Sequence, residues 1–109
     1  MSRAKGNVAE ELAVKYLYDN GYEIIERNFY SRFGEIDIIA FKDETLHFVE
    51  VKSGEDYEKA IQNITPTKLL RLIKTGDVYM KKNGTNIDYE YDALVVVEDQ
   101  VWFIENITL

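Results

Sequence analysis

The chain has no cysteine and a single histidine, His47. Without cysteine, neither a disulfide framework nor a cysteine-based zinc site can form, and one histidine excludes a metal cluster rich in imidazole. We therefore expect any metal ion to be held by oxygen ligands. Long apolar runs are also absent, since the longest have the length of a single strand and the first residues alternate charged and small side chains. This favours a cytoplasmic protein that has no membrane partner.

Basic residues are few, with 13 lysines and arginines against 20 aspartates and glutamates and a net charge of -7. Such a balance works against the long-range attraction on which most nucleic-acid binders depend. The 109 residues, of which 46% are hydrophobic, are enough for one compact core and too few for two. We therefore predict one domain over residues 1–109.

The spacing of apolar residues predicts an α/β chain in the order α-β-β-β-α-β-β. Helical periodicity covers residues 7–20, where Asn20-Gly21 ends the pattern, and residues 66–82, where Thr65-Pro66 fits an N-cap followed by proline. Residues 54–63 have room for a short additional helix. Five segments rich in β-branched and aromatic residues are predicted strands: 22–29, 35–41, 45–52, 93–97 and 101–107. The predicted architecture is a mixed central sheet flanked by helices.

The second and third strands carry the residues that indicate chemistry. A tight turn centred between residues 43 and 44 pairs residue 42 with 45, so Asp37 lies opposite Glu50 and Glu35 opposite Lys52 on one face. Directly opposed Cβ atoms are only about 5 Å apart. Two ionised carboxylates at that separation repel unless a proton or a cation lies between them. The pattern therefore predicts an oxygen-ligand site for Mg²⁺ or a similar ion.

Lys52 points to the same face as Glu50 and can orient water or neutralise charge that develops on a phosphate. The ordinary alternative is a set of exposed polar residues with Lys52 ion-paired to Glu35. Against it, the residues nearer the turn on this face are apolar, and charges beside a buried apolar face are rare unless they are paired or bound to metal. His47 should project to the opposite face, which makes it a core residue more readily than a catalytic base.

The first helix offers a possible fourth acid. Glu10 falls at the border of its apolar stripe, whereas Glu11 points to solvent. Glu10 can therefore reach a site over the sheet, although an ordinary boundary glutamate explains the pattern equally well.

Basic residues gather on one side of the second long helix. Lys68, Arg71 and Lys74, with two lysines near the helix end, fall within an arc of roughly 140°. A stripe that contacts phosphates is one explanation, and a solvated helix face is the commoner one. Arg27 and Arg32, before the strand of Asp37, are further candidates for contact with nucleic acid.

Two segments match a known family. Residues 34–40 (GEIDIIA) and 48–52 (FVEVK) resemble the signature of the YraN-like family of uncharacterised bacterial proteins, uncharacterised protein family 0102, within the PD-(D/E)XK nuclease superfamily. The similarity extends along most of the chain through Gly6, Glu10, Ala13, Tyr16-Leu17, Gly21-Tyr22, Arg27-Asn28, Lys68, Arg71-Leu72 and Tyr91-Asp92.

The resemblance implies a restriction-endonuclease-like fold in which Asp37 and Glu50 bind Mg²⁺ or Mn²⁺ and Lys52 assists catalysis. Glu10 matches the helix acid that some members, including archaeal Holliday junction resolvases, add to the metal site.

Some positions depart from the family pattern. Ala9 stands where glycine is usual, Ser53-Gly54 replaces a more basic segment, Leu69 stands where glutamine is common, and Glu90 occupies a position that is usually basic. These changes affect expected contacts with nucleic acid more than the metal site.

We therefore expect a metal-dependent endonuclease that hydrolyses phosphodiester bonds in nucleic acid, DNA above all, with structured or branched DNA as a candidate substrate. The alternative is a nucleic-acid or protein interaction module that keeps the fold without turnover. An apolar edge strand at 101–107 offers an interface for a homodimer.

Overall fold

The computed structural model describes residues 3–84 and 86–108. Three helices and five strands follow one another along the chain: α1 Arg3–Asp19, β1 Glu23–Ser31, β2 Gly34–Lys42, β3 Thr45–Ser53, α2 Tyr57–Gln62, α3 Pro66–Asn83, β4 Asp88–Val97 and β5 Gln100–Ile104. This confirms the predicted order α-β-β-β-α-β-β, with α2 as the short helix between β3 and α3.

The strands form one mixed sheet in the order β1-β2-β3-β4-β5. The pairs β1–β2, β2–β3 and β4–β5 are antiparallel, and β3–β4 is parallel. A parallel pair needs a crossover connection, which α2 and α3 provide. With helices on both faces, the arrangement is that of a restriction-endonuclease-like fold, as predicted.

Each face of the sheet has its own apolar core. On the α1 face, Ala9, Ala13 and Leu17 of the helix are buried in one cluster with residues such as Ile38 and Val49. On the α3 face, Leu72 and Tyr79 are buried in a second cluster. That second cluster also holds Phe29, Ile36, Ile39, Leu46, Phe48 and Tyr91. A site on this sheet therefore belongs to one helix layer or the other.

The helix ends follow from the local sequence. Gly21 adopts a φ of 87° after α1, and the N–H of Tyr22 donates to the carbonyl of Leu17, which closes the helix end. Thr65 is the N-cap of α3 and accepts from the backbone N–H of Lys68 at 3.2 Å, with proline next in the chain. The predicted starts and stops of these helices are confirmed to within a few residues.

The β2–β3 hairpin has the predicted register. Its turn residues Asp43 and Glu44 have φ values of 51° and 63°, the left-handed conformation that a two-residue hairpin turn requires. Residue 42 pairs with 45, and the ladder continues in the same register to the pair Ile38 and Val49. Alternation along both strands then sets which side chains face α3.

Two predicted boundaries are wrong. Strand β4 begins at Asp88 instead of residue 93. The sequence did not reveal the earlier start, because Tyr89 and Tyr91 alternate with acidic residues, which are unusual in strands. Strand β5 ends at Ile104 instead of residue 107, since the chain turns back there and the N–H of Ile107 donates to the carbonyl of Tyr91 at 2.8 Å. Within the described residues, no helix is both long and apolar enough to cross a membrane.

A candidate metal centre on the α3 face

The paired ladder between β2 and β3 ends just before the two predicted acids. The last regular pair is Ile38 with Val49. Beyond it, Oδ2 of Asp37 accepts a hydrogen bond of 2.8 Å from the backbone N–H of Val51. The Asp37 carboxylate therefore takes the place of a backbone hydrogen-bond partner for β3 at Val51. That hydrogen bond fixes the orientation of the carboxylate.

Both acids nevertheless line one cavity. It has a volume of about 290 Å³ and lies between β2, β3 and the first turns of α3. Its lining consists of Gly34, Glu35, Asp37, Glu50, Lys68, Arg71 and Leu72. The cavity thus has three carboxylates from the sheet and two basic groups from the helix.

Both carboxyl groups ionise less readily than they would in water. Burial raises the pKa of Asp37 from 3.8 to about 8, with a further contribution from the negative charge of Glu50, while the Val51 N–H opposes the shift. Burial also raises the pKa of Glu50, against the lowering effect of Lys52. The charge of Glu35 raises both pKa values. Such a site gains stability from a bound cation.

Lys52 contacts one of these acids. Its Nζ lies 3.3 Å from Oε1 of Glu50, and each of the two side chains is 22% exposed. The ion pair is therefore with Glu50 and not with Glu35, the partner that an ordinary pair across the hairpin would use. The cavity lining does not include Lys52, which is joined to it through Glu50.

Glu10 lies at the border of α1, as its helical position indicated. Its side chain is 16% exposed, against 66% for Glu11. Oε1 of Glu10 accepts from Nη2 of Arg27 and from Nδ2 of Asn28, both at 3.1 Å. The structure thus joins Glu10 to β1 and not to the cavity lining.

Asn28 is a residue whose role the sequence did not reveal. Its φ of 55° is a left-handed conformation that asparagine tolerates better than most residues. Its neighbours Arg27 and Phe29 pair with Ile38 and Ile36, so Asn28 lies alongside Asp37 in β2. An asparagine within a predicted strand was the available signal in the sequence. In the structure, Asn28 connects Glu10 to the strand of Asp37.

The predicted basic residues fall into three groups. Lys68 and Arg71 line the cavity. Arg32 and Lys74 lie over the ring of Phe33, at 4.8 and 5.4 Å from its centroid. Arg27 is ion-paired with Glu10 and, at 2.7 Å, with Glu11. Two of the five thus share the cavity with the acids, two stand beside the β1–β2 turn, and the charge of the fifth is compensated.

A second acidic group, on the α1 face, contains the one histidine. His47 is buried opposite to Glu50, as predicted, and its Nδ1 lies 2.6 Å from Oδ2 of Asp92 and 3.6 Å from Oε2 of Glu90. Ligand atoms of the three residues all lie within 4.8 Å of one another, and the group can hold a metal ion. The expectation of oxygen ligands alone did not foresee this group, in which a histidine nitrogen is also available.

The pKa values within this group are also displaced. The Asp92 carboxyl and burial raise the pKa of Glu90 to about 7. Burial lowers the pKa of His47, but the hydrogen bond and charge of Asp92, with the charge of Glu90, outweigh it and the net shift is upward. The group forms because β3 and β4 are parallel in one particular register. No turn sequence between the two strands predicts that register.

The chain is similar to known bacterial proteins over its whole length. A family model described as "Uncharacterised protein family UPF0102" matches residues 9–97. A UPF0102 protein of Sulfurimonas denitrificans is 65% identical over 109 residues, and one of Wolinella succinogenes is 56% identical over 109 residues. A UPF0102 protein of Aliarcobacter butzleri is 47% identical over 110 residues. In each comparison 100% of both chains is covered.

Proposed function

The chain belongs to uncharacterised protein family UPF0102, the YraN-like family that its sequence resembles, and we propose that it is a cytoplasmic, metal-dependent endonuclease acting on DNA. One observation carries the proposal: burial raises the pKa of both Asp37 and Glu50, and the charge of Glu50 raises that of Asp37 further, in a cavity whose opposite wall is basic. Structural ion pairs lower carboxyl pKa values, whereas these two carboxyls are destabilised as anions.

The donor set suits a hard divalent cation. Asp37 and Glu50 supply carboxylate oxygens, and Mg²⁺ and Mn²⁺ favour oxygen ligands while keeping positions for water and phosphate. A cation between the two carboxylates would relieve their mutual repulsion and the cost of their burial. An ion held there supplies Lewis-acid polarisation of a phosphate and activation of water for in-line attack.

The protein's own groups have separate roles in this proposal. The Val51 N–H holds the Asp37 carboxylate in one orientation, so no reorganisation is needed when substrate arrives. Lys52, held 3.3 Å from Glu50, stabilises the negative charge that grows on the phosphate during attack. Lys68 and Arg71 bind phosphates of the nucleic acid from the helix wall.

Glu10 and Arg27 have a supporting role. We propose that Glu10 supports the ion from α1 through Asn28, since its carboxylate contacts that residue beside the strand of Asp37. Arg27 restrains Glu10 and reaches nucleic acid only if it leaves its two acidic partners. Arg32 and Lys74, beside Phe33, extend the basic surface next to the cavity.

The test is cleavage of a panel of substrates. Labelled branched, single-stranded and duplex DNA, with RNA controls, are incubated with the protein in Mg²⁺ and in Mn²⁺. We expect metal-dependent cleavage by wild type, none by Glu50→Gln, and a loss on the order of 100-fold or more in Lys52→Met, which keeps the apolar stem of the lysine but removes its charge. Lys59→Met, at an exposed lysine of α2, is the matched control and should cleave normally.

A second function has one observation in its favour. The net charge of -7 suits a non-catalytic interaction module that keeps the fold without turnover. If wild type cleaves no member of the panel in either ion, the endonuclease proposal fails and this second function replaces it. Cleavage by Glu50→Gln at the wild-type rate would show that the activity belongs to another site or to a contaminant.

A further inference from the structure

The cluster of His47, Glu90 and Asp92 lies on the sheet face opposite to the proposed catalytic cavity. Parallel pairing sets His47 beside Glu90 and Val49 beside Asp92, and alternation then directs all three side chains toward α1. The proposed nuclease chemistry uses none of them. From their arrangement we infer that they form a second metal site, which binds a divalent transition-metal ion such as Zn²⁺.

The donor atoms are arranged as the ligands of one ion would be. Nδ1 of His47 lies 2.6 Å from Oδ2 of Asp92 and 3.6 Å from Oε2 of Glu90. Ligands that are each about 2 Å from a tetrahedral zinc ion stand about 3 to 3.5 Å from one another. The two distances from His47 lie within about half an ångström of that spacing, and the ligand atoms of the three residues all lie within 4.8 Å of one another.

Hydrogen bonding within the protein leaves this cluster incomplete. Nδ1 of His47 carries at most one proton, and at 2.6 Å that proton is directed to Asp92. Oε2 of Glu90 is buried and has no hydrogen-bond partner. Leaving a buried oxygen without a donor costs about 1–3 kcal/mol. A cation placed among the three residues would satisfy that oxygen and the other two donor atoms together.

Charge supports the same conclusion. Two carboxylates with an imidazolium leave one net negative charge in a buried place, whereas two carboxylates with a neutral imidazole and a divalent ion leave none. The Asp92 side chain is 0% exposed, so water cannot screen it.

The surroundings hold the ligands in place. The second oxygen of Asp92, Oδ1, accepts a hydrogen bond of 2.8 Å from the backbone N–H of Asn106, as ligating carboxylates usually do. The ring of Tyr22 stands edge-on to His47 at 5.0 Å, and Phe103 lies at 6.5 Å. Glu90, 23% exposed, leaves a way in from the surface.

The nitrogen ligand distinguishes this site from the cavity of Asp37. Imidazole favours Zn²⁺, Ni²⁺ and related ions, whereas a site of oxygen ligands alone favours Mg²⁺ and Mn²⁺. The two sites should therefore differ in the ion that each prefers.

Since His47 is the single histidine of the sequence, its imidazole signals in an NMR spectrum of untagged protein report on this site alone. Titration of wild type with Zn²⁺ should shift these signals at about one equivalent. Glu90→Gln, which preserves size at a partly exposed position, should weaken the Zn²⁺ affinity by at least about 10-fold. Two variants, Glu98→Gln in the exposed β4–β5 turn and Asp37→Asn in the cavity, should retain the wild-type affinity.

The alternative occupant is a proton shared between Glu90 and Asp92, which would satisfy the same buried oxygen. If the His47 signals do not respond to Zn²⁺, the cluster is such a proton-sharing group and the metal site does not exist. An equal response in Glu90→Gln would mean that the ion binds elsewhere on the imidazole, and it would overturn the three-residue site. A loss of the response in Asp37→Asn would likewise assign the ion to the cavity.

Discussion

Burial and the charge of Glu50 make the ionised form of Asp37 unfavourable in the folded chain. The same side chain is oriented by the Val51 N–H and faces a cavity with Lys68 and Arg71 on its other wall. A residue selected for stability would not be a carboxylate here. At the residue scale, a carboxylate that lowers stability and yet is held in a fixed orientation is typical of a functional site.

The pH dependence of stability should reveal the cost of ionising Asp37. In metal-free protein the pKa of Asp37 rises from 3.8 to about 8 on folding, so between those values the folded state binds more protons than the unfolded state. The free energy of unfolding should therefore fall as the pH rises from about 4 to about 8. Asp37→Asn, whose amide oxygen can still accept from Val51, should flatten the fall and be more stable than wild type at pH 8, by at least about 1 kcal/mol.

Urea denaturation in EDTA at a series of pH values measures this difference. Asp43→Asn, in the exposed β2–β3 turn, is the matched control and should follow the wild-type profile. An Asp37→Asn profile parallel to that of wild type would mean that Asp37 ionises normally and that its cavity imposes no cost.

The sequence reveals some of these residues and conceals others. Asp37, Glu50 and Lys52 could be placed on one face because alternation along a short hairpin needs only a turn position. Their hydrogen-bond partners could not be predicted, because beyond the pair Ile38 and Val49 the Val51 N–H donates to a side chain instead of to the backbone of β2. His47 and Asp92 are far apart in sequence and meet only through the parallel register of β3 and β4.

At the scale of elements, the wall of the cavity depends on how closely α3 approaches the sheet. Gly76 lies where the helix crosses Tyr91 of β4, and the Tyr91 hydroxyl donates to the carbonyl of Ile73 at 3.1 Å. A Cβ at residue 76 would overlap the Tyr91 ring. Thr75, fully buried, contacts Ser31 at the end of β1 through their hydroxyls at 2.8 Å. These interactions fix the position of Lys68 and Arg71 over the acids.

Gly76→Ala should therefore destabilise the protein although alanine is the better helix former. Overpacking of this kind costs about 1–3 kcal/mol, more than the gain in helix propensity of about 1 kcal/mol. Thermal denaturation would measure the change, and Lys81→Ala on the exposed side of α3 is the control. In a Tyr91→Leu background, which removes the ring, the cost of Gly76→Ala should shrink. Equal costs in both backgrounds would contradict the close approach.

The same scale explains which elements the sequence predicts. Helix α3 has a capping threonine and a proline at its start and Gly84 with a φ of 60° at its end, so both of its ends are set locally. The β2–β3 hairpin is set by its two-residue turn. The first half of β4 is not set locally, because its alternating acids and tyrosines become a strand only when Tyr91 packs on Phe48 and Asp92 meets His47 of β3.

At the scale of the whole molecule, a net charge of -7 requires that any binding of nucleic acid be local. The proposed local positive charge lies along α3 beside the cavity and comes from Lys68, Arg71 and Lys74. Reversal of these three residues to glutamate should weaken DNA binding and flatten its dependence on salt, by up to about 0.9 in log–log slope for each phosphate that the variant no longer neutralises. Fluorescence anisotropy over a salt series measures the slope.

The matched control reverses two exposed lysines away from α3, Lys15 and Lys59, and the change in slope is compared per reversed charge. If both variants flatten the slope to the same extent per charge, binding responds to total charge and the surface on α3 has no special role. An unchanged slope in the first variant would move the binding surface to Arg27 and Arg32. The outer edge of β5 remains the predicted dimer interface, which sedimentation can test.

The central claim is that Asp37 and Glu50 share one divalent ion, and calorimetric titration with Mn²⁺ tests it most directly. Wild type should bind one Mn²⁺. Asp37→Asn should lose this binding, and His47→Gln, on the opposite face, should retain it. The loss should exceed about 10-fold in affinity, since one of two charged ligands is removed. Equal binding by wild type and Asp37→Asn, or no binding by wild type even with nucleic acid present, would contradict the account.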